Sequence, residues 1–160
     1  YLSSSIMDKE EYKSARTLLL LAYTVLATLP GIPSIYYGDE AGIEGYSDPF
    51  NRKPFPWGKE DKEILSHYRL IGRIRTENPV YKTGEYKLLY LSGDLLIFTR
   101  YDSSKSYVTF INNSSVPKSV RFKHKATELL SNEQNRHFVI KSKTSAIFKT
   151  SKDGYLELLN

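Results

Sequence analysis

Residues 17–38 carry no charged side chain. A run of that length could cross a membrane if it formed one helix. Pro30-Gly31-Ile32-Pro33 cuts it into a helical piece and a strand-like piece, so both are expected in a core and no membrane-spanning helix is expected. Ahead of the cut, residues 9–16 (KEEYKSAR) are polar, and 17–29 (TLLLLAYTVLATL) are apolar nearly all round. This predicts one helix whose second half is buried on every side. Residues 32–37 are apolar on both faces, the pattern of a parallel strand covered from both sides.

That strand would run straight into Asp39 and Glu40, then into a loop rich in Gly, Pro and aromatic residues. Such a loop at a strand's end is how barrel enzymes build active-site rims. It holds Asp48 and Arg52, with Tyr46, Phe50, Phe55 and Trp57 around them. Asp39 and Glu40 are neighbours on an extended segment and point to opposite faces, so they cannot flank one bond. Residues 61–78 then place Ile64, Leu65, Tyr68, Ile71 and Ile74 at helical spacing, ending at Asn78-Pro79. His67 falls among polar neighbours on that helix and is expected at the surface.

Beyond residue 79 the period changes. Segments 85–91, 95–101, 106–111, 118–123 and 144–150 are short, rich in β-branched and aromatic residues, and separated by turn material. Gly154 followed by 155–159 offers a last strand. This predicts an antiparallel sandwich or small barrel. Asp94, Asp102 and Asp153 sit in turns, where local hydrogen bonding accounts for them, so no metal is assigned. The chain therefore reads as an α+β fragment divided into 1–79 and 80–160. One lone strand with two helices cannot pair its own edges, which points to further strands in a longer parent.

Composition narrows the classes. With 40% apolar and 26% charged residues the chain is a folded one. The absence of cysteine excludes disulfides and thiolate metal sites and leaves the compartment open. The +5 net charge sits wholly in residues 118–160, scattered among β-type residues without a nucleic-acid motif. A solvated sheet face is the expectation, with no nucleic-acid partner.

The stretch TLPGIPSIYYGDEAGIEGYSDPFNRKPFPW resembles the last barrel strand and following loop of the α-amylase superfamily, glycoside hydrolase family 13. The likeness is nearest to neopullulanases, cyclomaltodextrinases, amylopullulanases and maltogenic amylases. It is strong over 17–79 and rests on architecture beyond. The resemblance implies the final helix–strand–helix part of a (β/α)8 barrel followed by the β-sandwich called domain C. It also implies a parent that cleaves α-glucosidic bonds in starch, pullulan or maltodextrins with retention, using two carboxylates about 5–5.5 Å apart.

The family's Arg-Ala-Asp-like, Glu-centred and Asn-His-Asp-like blocks are absent, so no catalytic residue is assigned and the fragment alone is expected to be inactive. Asp48 and Arg52 match the family's Asp and Arg that contact a glucosyl unit on the non-reducing side of the cleaved bond. Tyr46 is a third candidate for sugar contact, by ring stacking. Asp39, Tyr37 and Glu40 are lesser candidates lining the cleft. No cofactor is implied. The expected partners are α-glucan oligosaccharides, the missing N-terminal barrel, and a second copy through the exposed apolar faces. Two rival readings stand beside this one: a self-standing carbohydrate-binding module and a non-catalytic structural module.

Overall fold

The computed structural model describes residues 6–45, 48–152, 154 and 156–157. Helix α1 (Lys9–Thr28) starts at Asp8, whose carboxylate accepts from the N–H groups of Glu10 and Glu11 while Glu11 reaches back to the Asp8 N–H. This reciprocal box satisfies donors that the first turn leaves free. Helix α2 (Lys62–Glu77) starts at Asp61 in the same way, with Glu63 and Ile64 N–H donating to its carboxylate. The two helices lie together through Tyr23 stacked on Tyr68, with ring centres 3.6 Å apart. A short helix α3 (Val80–Thr83) leads into the sheet.

Strands β1 (Glu85–Ser92), β2 (Leu95–Tyr101), β3 (Lys105–Asn112), β4 (Lys118–Glu128), β5 (Gln134–Ile140) and β6 (Thr144–Ser151) form one antiparallel sheet in the order β1-β2-β3-β6-β4-β5. A two-residue β7 (Leu156–Glu157) adds to β4. Strand β4 meets β6 only at Thr127–Lys149 and Glu128–Phe148, so the sheet folds over there into two layers. Between them lies a dry core of Ile97, Val108, Phe110 and Phe148 facing Val120, Phe122, Phe138 and Ile140. Phe122, Phe138 and Phe148 form a triangle of rings 4.8–6.0 Å apart. This is the sandwich expected from the short, evenly spaced runs.

The outer face of the first layer meets the helices. Tyr107 and Ile147 share a second core with Tyr23, Ala27, Ile64, Tyr68, Ile71, Ile74, Val80 and Tyr81. Arg75 ties the helical part to itself: its guanidinium donates to the Ala27, Leu29 and Gly31 carbonyls, closing the C-terminal end of α1.

Two expected elements are corrected, and one strand is added. Residues 32–37 do not form a strand, because no other described segment lies beside them to complete a ladder. Ile32 is 96% exposed, and Ile35, Tyr36 and Tyr37 are exposed as well. The second half of α1 is not buried on every side: Leu18 and Leu26 face outward while Leu21, Tyr23, Thr24, Ala27 and Thr28 face the core. Strand β5 went unseen in the sequence, because its first half is polar and only Phe138 and Ile140 point inward. Of the expected last strand, Leu156–Glu157 is observed, and Tyr155 and 158–160 lie outside the described residues.

His67 is also not a surface group. Its Nε2 lies 3.0 Å from the Thr24 hydroxyl and 3.1 Å from the Leu20 carbonyl, and Thr24 in turn lies 3.1 Å from the Ser145 hydroxyl. The imidazole thus joins α1, α2 and β6. Burial pulls its pKa below the ordinary 6.5, outweighing the Leu20 carbonyl and Glu63, which favour the charged form. A lowered folded value means the unfolded chain binds the extra proton first. Stability from this group is therefore full above about 6.5 and falls as pH drops below it toward the folded value. Urea unfolding at pH 5 and pH 7.5 should show lower stability at pH 5. His67→Gln should shrink that difference; an unchanged difference would remove His67 as its source.

Candidate functional site: the loop end of the helices

The N-terminal ends of α1 and α2 sit at the same end of the molecule as the loop between residues 38 and 61. Asp61 is the joint. Its Oδ1 caps α2, its Oδ2 accepts from the Tyr12 hydroxyl at 2.9 Å and faces Arg16 Nη1 at 3.4 Å, and its own N–H donates to the Ala41 carbonyl. Arg16 also reaches Glu63 at 3.0 Å. Burial pushes the Asp61 carboxyl upward, but the Ile64 N–H, the Tyr12 hydroxyl, the Glu63 N–H and Arg16 together hold it below the usual carboxylate range. Tyr12 is pushed the other way, to about 12, by burial and by its bond to that carboxylate. Gly42 sits against this joint at φ +74, where a Cβ would meet the Tyr12 hydroxyl at 2.5 Å.

Asp61→Ala removes a helix cap and strands Tyr12 and Arg16, so it should cost about 2 kcal/mol in urea unfolding. Because the folded carboxyl titrates below its unfolded value, that contribution is complete above about pH 4 and is lost as pH falls through the folded value. The gap between wild type and Asp61→Ala should therefore narrow in acid. A constant gap would contradict the assignment.

From this joint the loop runs outward. Gly38 N–H donates to Glu40 Oε2 at 2.9 Å, and residues Asp39–Ala41 make one 3-10 turn, not the extended segment expected for Asp39 and Glu40, because the chain reverses through left-handed Gly38 and Gly42. Burial, with Glu40 adding to it, raises the Asp39 pKa. Farther along, Arg52 grips Asp48 with two bonds, Nε to Oδ1 at 2.9 Å and Nη2 to Oδ2 at 3.3 Å. Both side chains are more than half exposed. The Tyr37 hydroxyl donates to the Lys53 carbonyl at 3.1 Å and ties the loop to the segment before it. Phe55 and Trp57 rings lie 4.6 Å apart, with Trp57 and Phe50 otherwise exposed. Tyr46 lies outside the described residues.

Two cavities open beside the joint, of about 540 and 480 Å³, sharing Tyr12, Gly42, Ile43 and Glu44. Asp39 and Arg16 line the second; Asp48 and Arg52 line neither and stand free on the loop's outer part. The geometry thus separates Asp39 and Glu40, held locally at the inner end, from the Asp48–Arg52 pair at the outer end. Among the described residues no cluster of His, Asp or Glu suits a metal ion. No described helix is long and apolar enough to cross a membrane.

An exposed ion pair adds about 0.5 kcal/mol or less to stability. What the two-bond grip does fix is direction. It holds a carboxylate with unused acceptor lone pairs, and a guanidinium with unused donors, in one orientation toward solvent. That arrangement suits vicinal hydroxyl groups, which both donate and accept. The sequence missed the Asp61 joint, although Asp61 two and three residues before Glu63 and Ile64 is a readable cap signal.

No family model matches the chain. The amylopullulanase of Thermoanaerobacter thermohydrosulfuricus is 49% identical over 101 residues, covering 61% of this chain and 7% of that protein. The cyclomaltodextrinase of Thermoanaerobacter pseudethanolicus is 40% identical over 97 residues, 59% of this chain and 17% of that protein. Among solved structures, an Anoxybacillus alpha-amylase superposes with a TM-score of 0.77 at 27% identity, over 84% of this chain and 32% of that one. The alpha-amylase of Geobacillus thermoleovorans, complexed with acarbose, gives a TM-score of 0.75 at 28% identity, over 84% of this chain and 33% of the other. The chain thus spans a small fraction of each of these relatives.

Proposed function

We propose that this chain, which corresponds to the C-terminal part of an α-amylase-superfamily enzyme, positions α-glucan substrate for carboxylates held elsewhere in its parent. The parent's reaction is then retaining hydrolysis of α-glucosidic bonds in starch, pullulan or maltodextrins. Residues 1–79 are read as the end of a (β/α)8 barrel and 80–160 as the sandwich that follows it. Exposure of the apolar run 32–37 supports this division, since a run of that pattern has the composition of a strand with neighbours on both edges.

The observation that carries the site assignment is the two-bond Asp48–Arg52 pair on an exposed loop. Asp48 would accept from sugar hydroxyls and Arg52 would hold it in register, while Tyr46 would offer a ring face. Such contacts raise the rate by orientation and by binding that strengthens in the transition state. The exposed apolar residues of α1 and of 32–37 are the surfaces through which a truncated piece would also meet a second copy.

Asp39 and Glu40 are adjacent in one 3-10 turn, with Glu40 spent on the Gly38 N–H, and Asp48 is paired with an arginine rather than a second carboxylate. The chain alone should therefore show no turnover on maltotriose or pullulan. Turnover by the chain alone that disappears in Asp48→Ala would overturn this reading and place the chemistry here.

A further inference from the structure

Among the described residues, the β4–β5 ribbon carries a row of cations with acids only at its Glu128–Glu133 turn end. No Asp or Glu occurs between Asp102 and Glu128, or between Glu133 and Asp153. Strand β4 carries Arg121, Lys123 and Lys125, with His124 between the lysines. All four are exposed, whereas Val120, Phe122 and Ala126 on the same strand are buried in the sandwich. The register explains why so many successive residues face water. Arg121 pairs with His137 and Ala126 with Asn135, so four residues of β4 stand opposite one of β5. Residues 122–125 thus form a bulge that turns Lys123, His124 and Lys125 outward together. Across from it, Arg136 is exposed and spends its Nε–H on the Phe122 carbonyl at 3.3 Å, bracing the bulge.

No salt bridge engages any of these cations among the described residues. Arg121 does lie opposite Glu157 in the β4–β7 register, so the lysines of the bulge are the centre of the surface. A solvated strand face usually interleaves both signs, and an uncompensated row of cations weakens the fold by self-repulsion. A bulge that concentrates them is a local feature in need of a partner.

We propose that this ribbon binds a linear polyanion built on a regular phosphate or phosphodiester backbone without bases. Three properties select that partner. The cations Arg121, Lys123 and Lys125 recur every second residue along one exposed edge of β4, which suits an extended polymer with one charge per repeat. The large aromatic residues of the ribbon, Phe122 and Phe138, are buried, so only the His124 and His137 imidazoles face solvent, which offers a run of bases no continuous stacking platform. The surface has no helix to enter a nucleic-acid groove and no row of apolar side chains to insert into a bilayer. Held this way, the parent would stay at an anionic matrix while its sugar site worked on glucan.

The test is fluorescence anisotropy of the 160-residue chain with a labelled linear inorganic polyphosphate at low salt. Binding should weaken steeply as salt rises, because it rests on ion release. Lys123→Glu with Lys125→Glu should weaken it roughly thirtyfold or more, while Lys9→Glu with Lys62→Glu, matched in net charge, should stay within about threefold. Circular dichroism of both variants should overlay on the wild type. No binding at low salt, or equal loss in both variants, would overturn the proposal. Tighter binding to a single-stranded oligonucleotide of equal charge, or to anionic phospholipid vesicles, would overturn it in favour of those partners.

Discussion

Asp48→Ala in the complete parent enzyme should lower kcat/KM on maltooligosaccharides by about 10²–10³-fold, corresponding to about 2.7–4 kcal/mol of transition-state binding. Removing the carboxylate would take away the acceptors proposed for sugar hydroxyls and free Arg52, whose two bonds to Asp48 fix the pair's orientation. Stability should hardly change, since an exposed pair adds about 0.5 kcal/mol or less. Arg52→Ala should produce a loss of similar size, and the double variant should lose little more than either single one. That non-additivity is the mark of two groups acting as a unit. A kcat/KM within about threefold of wild type would remove Asp48 from the site.

The largest expected effect on folding belongs to Arg100. Its side chain is 2% exposed and donates to four backbone carbonyls, those of Val80, Tyr81, Gly84 and Glu85, at 2.8–3.2 Å. These acceptors lie where α3 ends and β1 begins, Val80 also accepting from the Gly84 N–H, and no described carboxylate is paired with the guanidinium. Arg100→Met keeps much of the packing but takes this donor from the Tyr81, Gly84 and Glu85 carbonyls, while Val80 keeps the Gly84 N–H. At roughly 1 kcal/mol each, the loss should be about 3 kcal/mol in urea unfolding. Arg100→Lys should recover only part of it, because one ammonium cannot reach the span that the planar fork covers. A loss below about 1 kcal/mol for Arg100→Met would mean that water serves these carbonyls as well as the arginine does.

Much of this architecture was legible in residue patterns. Helix α2 is legible almost to the residue, because Asn78-Pro79 marks its end and Ile64, Tyr68, Ile71 and Ile74 mark its face. Strands β1, β2, β3, β4 and β6 were readable from β-branched and aromatic runs between turns, although β4 extends farther than its expected 118–123. Strand β5 was hidden, since Val139 faces water and four polar residues precede Phe138.

The segment 32–37 shows the opposite failure. Its composition encodes burial between neighbouring strands, and composition cannot supply those neighbours. Side chains that bond to backbone carbonyls leave the least trace. Arg75 reads as a favourable charge at the end of its own helix, yet it serves the end of α1, and Arg100 reads as one polar residue in a strand. His67 is misread for the same reason, as its partners Leu20 and Thr24 lie on another helix. At the candidate site the Asp48–Arg52 pair was legible from spacing, and its two-bond geometry is the added finding.

Asp48 and Arg52 are proposed to grip a sugar rather than pin a loop. The direct measurement is kcat/KM for wild type and Asp48→Ala across maltooligosaccharides shortened one glucosyl unit at a time from the non-reducing end. A large loss is expected for substrates long enough to reach the pair, and a ratio near one once the contacted unit is gone. An equal loss at every length would contradict it, since a displaced loop would penalise short and long substrates alike.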